Sequence, residues 1–224
     1  MTAISLLLLV GLFSAAGAIM AYYFLKNPDI LFAGKNQTSV TANPIKLKFE
    51  DGDFSIPEYL VRKVRRSPLR KVKKISLVVP IDWSANHAPV AFTSKSDLSQ
   101  WLLAEIDKRS SFLSDAERLN KIFRLYIADP AIIHSSGLYR YRFKSGSPYD
   151  SIELFIDDLQ TPKFIIRCEM QNALDGTRLC NRHLPVSSRL TMLYKFPRSQ
   201  INQWQQVHRT METLRGSIFK RNGV

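Results

Sequence analysis

Glycine and cysteine are scarce in this 224-residue chain, at 9 and 2 residues. Two cysteines exclude a disulfide-rich scaffold, and so few glycines exclude a collagen-like or low-complexity array. Acidic residues are also in short supply: 19 Asp and Glu face 32 Lys and Arg, leaving a net charge of +13. The chain holds no G-x-S-x-G elbow, phosphate-binding glycine loop or dinucleotide fingerprint. Its four histidines, His87, His134, His183 and His208, are scattered without H-E-x-x-H spacing. No cofactor is implied. These absences do not exclude an enzyme whose groups meet only in space. With 45% hydrophobic and 11% aromatic residues the chain is not disordered as a whole, and its length suits one domain with an appendage.

What is present begins with an apolar run. Ile4 to Leu25 is 22 residues without a charge. As a helix it measures about 33 Å, enough to cross a hydrocarbon layer of about 30 Å. Tyr22 and Tyr23 at its carboxyl end suit the headgroup level, and Lys26 follows. Ala16-Gly17-Ala18 also fits a signal-peptide cleavage site, but the preceding residues lack Lys and Arg and the apolar run continues past it. An uncleaved anchor over residues 1–25 is the expectation. Gly11 with Ala15, Ser14 with Ala18, and Gly17 with Ala21 are small residues four apart, a spacing that permits a partner helix to approach. Lys26, Lys35, Lys46 and Lys48 follow the span, which by positive-inside counting alone would place the remainder in the cytoplasm. Long domains translocate largely regardless of that count.

The two cysteines bear on the same question. Cys168 and Cys180 flank Asp175-Gly176, a strong turn signal. The simplest reading is a β-turn-β unit with a disulfide across it, contributing about 3 kcal/mol, in an oxidising compartment. One rival is zinc, with Cys168, Cys180 and His183 as three ligands and no fourth. The other is a pair of inert buried thiols.

Residues 26–44 read as a linker and 45–220 as a single α+β domain with an antiparallel sheet and a packed carboxyl-terminal helix. Ile45, Leu47 and Phe49 alternate with charged residues as in a half-buried strand, and Asp51-Gly52 turns into a second around Phe54 and Ile56. Pro57-Glu58-Tyr59-Leu60 suggests a helical turn with Pro in a first-turn position, and ISLVV (75–79) a central strand ended by Pro80. A helix is expected from Ser96, with Leu98, Trp101, Leu102 and Ile106 on one face. Ser114-x-x-Glu117 fits a capping box opening a second helix, and KIFRLYIA (121–128) satisfies either helix or strand. Strands are expected at 139–143, 151–156, 163–170, 179–186 and 189–196, as an antiparallel meander. Ser199 can then cap a closing helix carrying Ile201, Trp204, Val207, Met211, Leu214 and Ile218 as its core stripe.

Two constellations remain. Eight of the thirteen residues from Arg62 to Lys74 are basic (Arg62, Lys63, Arg65, Arg66, Arg70, Lys71, Lys73 and Lys74) and none is acidic. The stretch is either a solvated connector or a contact for anionic headgroups or an envelope polymer. It contains no aromatic residue on which bases could stack, which disfavours nucleic acid. Glu153 and Asp157 could form an acid/base pair, but four residues apart on a strand they sit about 13 Å from each other. Asp157-Asp158 reads as a solvated turn rather than a cation site.

SGSPYDSIELFI, FIIRC, the second cysteine and YKFPRSQINQW, with FSIPEYLVR and LVVPIDW earlier, resemble the pattern of a family of uncharacterised, single-span, membrane-anchored proteins of proteobacteria. The resemblance spans most of 45–219, with Gly146-Ser147-Pro148-Tyr149 and Phe196-Pro197-Arg198 as matching motifs. It implies an exported α+β domain and no known activity, so no functional residue carries over. The expectation is a single-pass inner-membrane protein with a periplasmic domain that binds or scaffolds an envelope partner without catalysis. Two other classes stand beside it: an enzyme on an envelope substrate, and a cytoplasmic-facing binder of nucleic acid or anionic lipid through 62–74.

Overall fold

The computed structural model describes residues 43–49, 52–68, 71–84, 92, 98–109, 113–170 and 178–218. The amino-terminal span with Gly11, Ser14, Ala15, Gly17, Ala18 and Ala21, the linker up to Ala42, and Arg70 lie outside them. No helix among the described residues is long and apolar enough to cross a membrane.

The chain enters through a hairpin. β1 (Pro44–Phe49) and β2 (Gly52–Pro57) form a separate two-stranded antiparallel sheet. Their alternation buries Leu47, Phe49, Phe54 and Ile56 on one face, with Leu47 opposite Phe54 and the Phe49 and Phe54 rings 4.6 Å apart. Gly52, at φ +139°, takes the backbone conformation at the turn that a side chain would resist. A 3-10 turn, Glu58–Leu60, leads into the main sheet.

That sheet has nine described strands, all antiparallel. They are β3 (Val61–Arg66), β4 (Val72–Pro80), β5 (Trp101–Lys108), β6 (Ile132–Ile133), β7 (Tyr139–Arg142), β8 (Ile152–Ile156), β9 (Ile165–Glu169), β10 (Leu179–Pro185) and β11 (Leu190–Pro197). The spatial order is β3-β4-β5-β11-β10-β9-β8-β7-β6. The carboxyl-terminal strands form the expected meander, and β11 then joins β5. The long connection between β5 and β6 carries helix α1 (Asp115–Lys121), opened by a complete capping box: Glu117 N donates to Ser114 Oγ, and Ser114 N donates to Glu117 Oε2.

Helix α2 (Trp204–Ile218) closes the chain. Its Val207, Met211, Leu214 and Ile218 join β1, β2 and the strands β4, β5 and β11 in one core cluster. Thr210 Oγ1 donates to the Ile81 carbonyl at 2.6 Å, fixing the helix just beyond the end of β4. A smaller cluster gathers Leu119, Phe123, Phe143, Leu154, Ile156 and Ile165. Leu154 and Ile156 alternate with Phe155 of the larger core, so the two clusters lie on opposite faces of β8.

Three expectations are corrected. The helix placed from Ser96 is a 3-10 turn, Leu98–Gln100, running into β5, because Leu102, Ala104 and Ile106 are buried at the period of a strand. Ser96 itself lies outside the described residues. Ser199 does not cap α2, since a 3-10 turn, Arg198–Gln203, precedes the helix. The 121–128 segment is neither helix nor strand throughout: α1 ends at Lys121, a 3-10 turn covers Phe123–Leu125, and Ile127 bridges Phe143.

Candidate functional site: two cationic surfaces

The basic stretch is a hairpin rather than a solvated connector. Val61 and Val64 of β3 pack against the core, and β4 buries Val72 and Ile75, so both segments hold the pleat of a sheet. Lys63, Arg65, Arg66, Lys71 and Lys73 are exposed. Arg65 stands directly opposite Lys74, a like-charge pair eased by the 2.8 Å ion pair from Lys74 to Glu105 on β5. Arg62 is half-buried with its guanidinium 4.9 Å from the centre of the Phe92 ring, and burial lowers its pKa. β3 is an edge strand, and a row of cations there also discourages pairing with another chain.

The cysteines are joined to each other. Cys168 on β9 and Cys180 on β10 are cross-strand partners in a disulfide, and both are 0% exposed. Bonded sulfurs cannot serve as zinc thiolates, which removes the reading that combined them with His183. Asp175-Gly176 lies outside the described residues.

One step beyond the disulfide the sheet opens. The β9–β10 pairing consists of Cys180↔Cys168 and Asn181↔Arg167, and β10 then continues to Pro185 against β11 alone. Asp115, at the start of α1, fills the gap: its Oδ2 accepts from Ile165 N at 3.2 Å and lies 3.8 Å from the Arg182 guanidinium. A cleft of about 340 Å³ forms here between α1, the segment before β9, and β10. Its described lining holds four cationic side chains (Arg109, Arg118, Lys163 and Arg182) and one carboxylate, Asp115.

Arg182 is the fixed element of this cleft. It is 6% exposed, its guanidinium carbon lies 3.9 Å from the centre of the Phe164 ring, and Nη2 donates to the Lys163 carbonyl at 3.1 Å. Nη1 is 3.2 Å from His208 Nδ1 on α2. The charges leave a clear imprint on their neighbours. Burial first, then Arg167 and Arg118, bring His183 down to about 4, so it is neutral at pH 7. Burial, then Arg182 and Arg215, do the same to His208. Burial pushes the Asp115 carboxyl up, against the opposing pull of Arg182. Burial lowers Arg167, with Arg118 adding like-charge repulsion. Among the described residues the Nε atom of Arg118 is buried without a hydrogen-bond partner, while Arg182 also reaches the buried Tyr194 hydroxyl.

Among the described residues, the hydroxyls that line the cleft are already committed. Ser114 Oγ donates to Glu117 Oε2 at 3.0 Å, and Thr191 Oγ1 donates to the Leu184 carbonyl at 3.3 Å.

Glu153 and Asp157 are not a pair. Asp157 Oδ1 accepts from Lys163 N and Phe164 N, both at 3.0 Å, and shapes the loop before β9. Asp158 Oδ1 accepts from Gln160 N and Thr161 N in the same loop, so it is more than a solvated acid. Glu153 is 4% exposed and gathers Arg198, Arg142 at 3.6 Å and Arg140 at 3.7 Å. The Y-R-Y-R alternation of β7 puts two of those arginines on one face and was the available signal. The cleft had no local signal, since its cations come from β5, α1, the 157–164 loop and β10.

No protein-family model matches this chain, and a search among curated proteins finds no match. Among solved structures, the chain is similar to an immunity protein of the Stenotrophomonas maltophilia type IV secretion system. The two share 12% identity at a TM-score of 0.55, over 84% of this chain and 97% of that one. An iron-regulated outer membrane lipoprotein of Neisseria meningitidis aligns at 11% identity and a TM-score of 0.46, with the same coverage. At such identity the first likeness concerns the fold alone.

Proposed function

We propose that this chain is a membrane-anchored, non-catalytic protein of the cell envelope, single-pass in the inner membrane, whose periplasmic domain binds a partner protein close to the bilayer. The observation that carries the binding role is the cleft: cations gathered beside hydroxyls that, among the described residues, are already engaged, and a histidine held neutral by burial and by nearby arginines. That chemistry suits holding an anion and offers no activated nucleophile. Export is supported by the buried disulfide, which persists in an oxidising compartment. Anchoring is supported by the uncharged 22-residue run. The fold is one that also serves as an immunity protein of a secretion system, although a fold by itself assigns no function. The exposed cations of the β3–β4 hairpin would meet anionic headgroups and hold the domain near the membrane.

A reporter fused after Val224, read in both compartments, tests the topology, and in-cell crosslinking of the full chain followed by mass spectrometry tests the partner. A periplasmically active reporter and one recurrent crosslinked envelope protein are expected. A reporter active only in the cytoplasm would overturn the reading.

A further inference from the structure

We propose that the free edge of the sheet at β6 is a docking site for an extended segment of the partner protein, apolar with acidic flanks. The occupant rests on the function proposed above; the edge rests on its own geometry.

The edge runs from Leu125 to Ile133 beside β7. Lys144 N donates to the Tyr126 carbonyl at 2.8 Å, Ala128 N to the Arg142 carbonyl at 3.0 Å, and His134 N to the Leu138 carbonyl at 2.8 Å. Ile127 and Ile133 face Phe143 and Tyr139 as the intervening pairs, so their own amides and carbonyls turn outward. β6 is last in the sheet order, and no described strand covers them. Leu125, Ile132 and Ile133 are 66%, 57% and 71% exposed, three of the five exposed large hydrophobic residues among those described. Tyr139, opposite Ile133, and Tyr126 are half-buried over the smaller core cluster. Tyrosine rings and arginines beside exposed aliphatic side chains match the composition of a protein interface.

The two edges of the sheet differ. β3 carries exposed Lys63, Arg65 and Arg66, a row that discourages pairing with another chain. β6 has no such guard, since both of its residues are isoleucine.

Charge selects the occupant. Residues 124–144 hold four Lys and Arg against one acid, Asp129. Arg140 and Arg142 share Glu153, whereas Arg124 is exposed and Lys144 Nζ donates to the Leu125 carbonyl rather than to an acid. A second copy would bring like charge to like; a segment with Asp or Glu beside its apolar residues meets both features. The bilayer is the other apolar candidate. The hairpin proposed to meet headgroups lies eight strand spacings from β6, about 38 Å at about 4.8 Å each, which leaves this edge for protein.

The test uses the full chain in detergent micelles and a fluorescein-labelled peptide of alternating Val and Glu, read by anisotropy. A Val-Lys peptide is one control. A second repeats the Val-Glu peptide with its valine amides N-methylated, which removes the donors that a strand partner needs. The Val-Glu peptide should bind, the Val-Lys peptide about tenfold more weakly, and the methylated one severalfold more weakly. Ile133→Lys should weaken binding about tenfold or more, the change expected for losing a buried aliphatic side chain. Ile133→Val should retain most of it, and Lys73→Gln on the hairpin should leave it unchanged. Circular dichroism of each variant establishes that it is folded. Equal binding of the Val-Glu and Val-Lys peptides, or no effect of Ile133→Lys, would overturn the site. Sedimentation showing a wild-type dimer that Ile133→Lys makes monomeric would replace the partner with a second copy. Quenching by brominated lipid of a dye on Ile133→Cys in proteoliposomes would replace it with the bilayer. If Ile133→Lys still crosslinks the same envelope partner at wild-type yield, the edge proposal fails and the partner-binding function stands. If no partner is found yet peptide binding depends on Ile133, the strand-binding edge stands and the envelope occupant falls with the function.

Discussion

Replacing both cysteines with alanine tests whether the bridge beside the cleft constrains the chain. Cys168 and Cys180 are 12 residues apart, and closing a loop of that size removes about 3 kcal/mol of denatured-state freedom on the chain-entropy estimate. For a domain of this size each kcal/mol moves the melting temperature by about 2–4 °C, so the double variant should melt about 6–12 °C below the wild type. The two sulfurs are 0% exposed, so lost packing adds to that figure and does not offset it. The assay is thermal unfolding of wild type and variant, followed by circular dichroism without reductant. The same burial makes a second demand: reductant should act on the wild type only as fast as the domain opens, because the bond is out of reach in the folded state. Melting within about 2 °C of the wild type would refute the argument, as would free thiols in unreduced, denatured wild type.

Leu214→Ala, at a fully buried position on α2, should cost about 2–5 kcal/mol in denaturant titration; a cost under 1 kcal/mol would mean that α2 is not part of the core. His183 and His208 fall from 6.5 to about 4 on folding, so the unfolded chain binds protons more readily than the folded one. Their contribution to stability is complete above pH 6.5 and is lost as pH falls from there towards 4, so the denaturant midpoint should drop across that window. Asp115 works in the opposite sense, since its carboxyl is pushed up, and Asp115→Asn should steepen the decline. A midpoint independent of pH in Asp115→Asn, where the opposing carboxyl is gone, would contradict the histidine assignments, and identical pH profiles for this variant and the wild type would contradict that of Asp115. Charge reversal of Lys63, Arg65 and Lys73 should abolish salt-sensitive binding to anionic vesicles while shifting stability by no more than about 0.5 kcal/mol per site; unchanged vesicle binding would leave the hairpin as an edge guard only.

The strands that were legible in the sequence share a property. β8 through β11 place their apolar residues in β-branched or alternating runs between polar turns, and their expected and observed boundaries differ by at most two residues. β5 hid because Ala104 interrupts its apolar alternation and Trp101 adds a residue at helical spacing. Trp101 is buried beside Phe92, with ring centres 5.2 Å apart, a tertiary contact that no local pattern contains. In the basic stretch only the ISLVV strand is legible, because Val64 and Val72 are isolated among cations. The cleft was illegible for a different reason. Arg109, Arg118, Lys163 and Arg182 each look like an ordinary surface cation in their own segment, and only the end of the β9–β10 ladder brings them together.

The junction of β5 with β11 also sets an order on assembly. Leu190 pairs with Lys108 and Lys195 with Leu103, so a strand made midway through synthesis waits for one made near its end. Until Pro197 has emerged, β5 offers a bare ladder of amide and carbonyl groups, open to any extended chain nearby. Truncation anywhere before the last strand would also do more than shorten the sheet: it would leave β3–β5 with nothing to join.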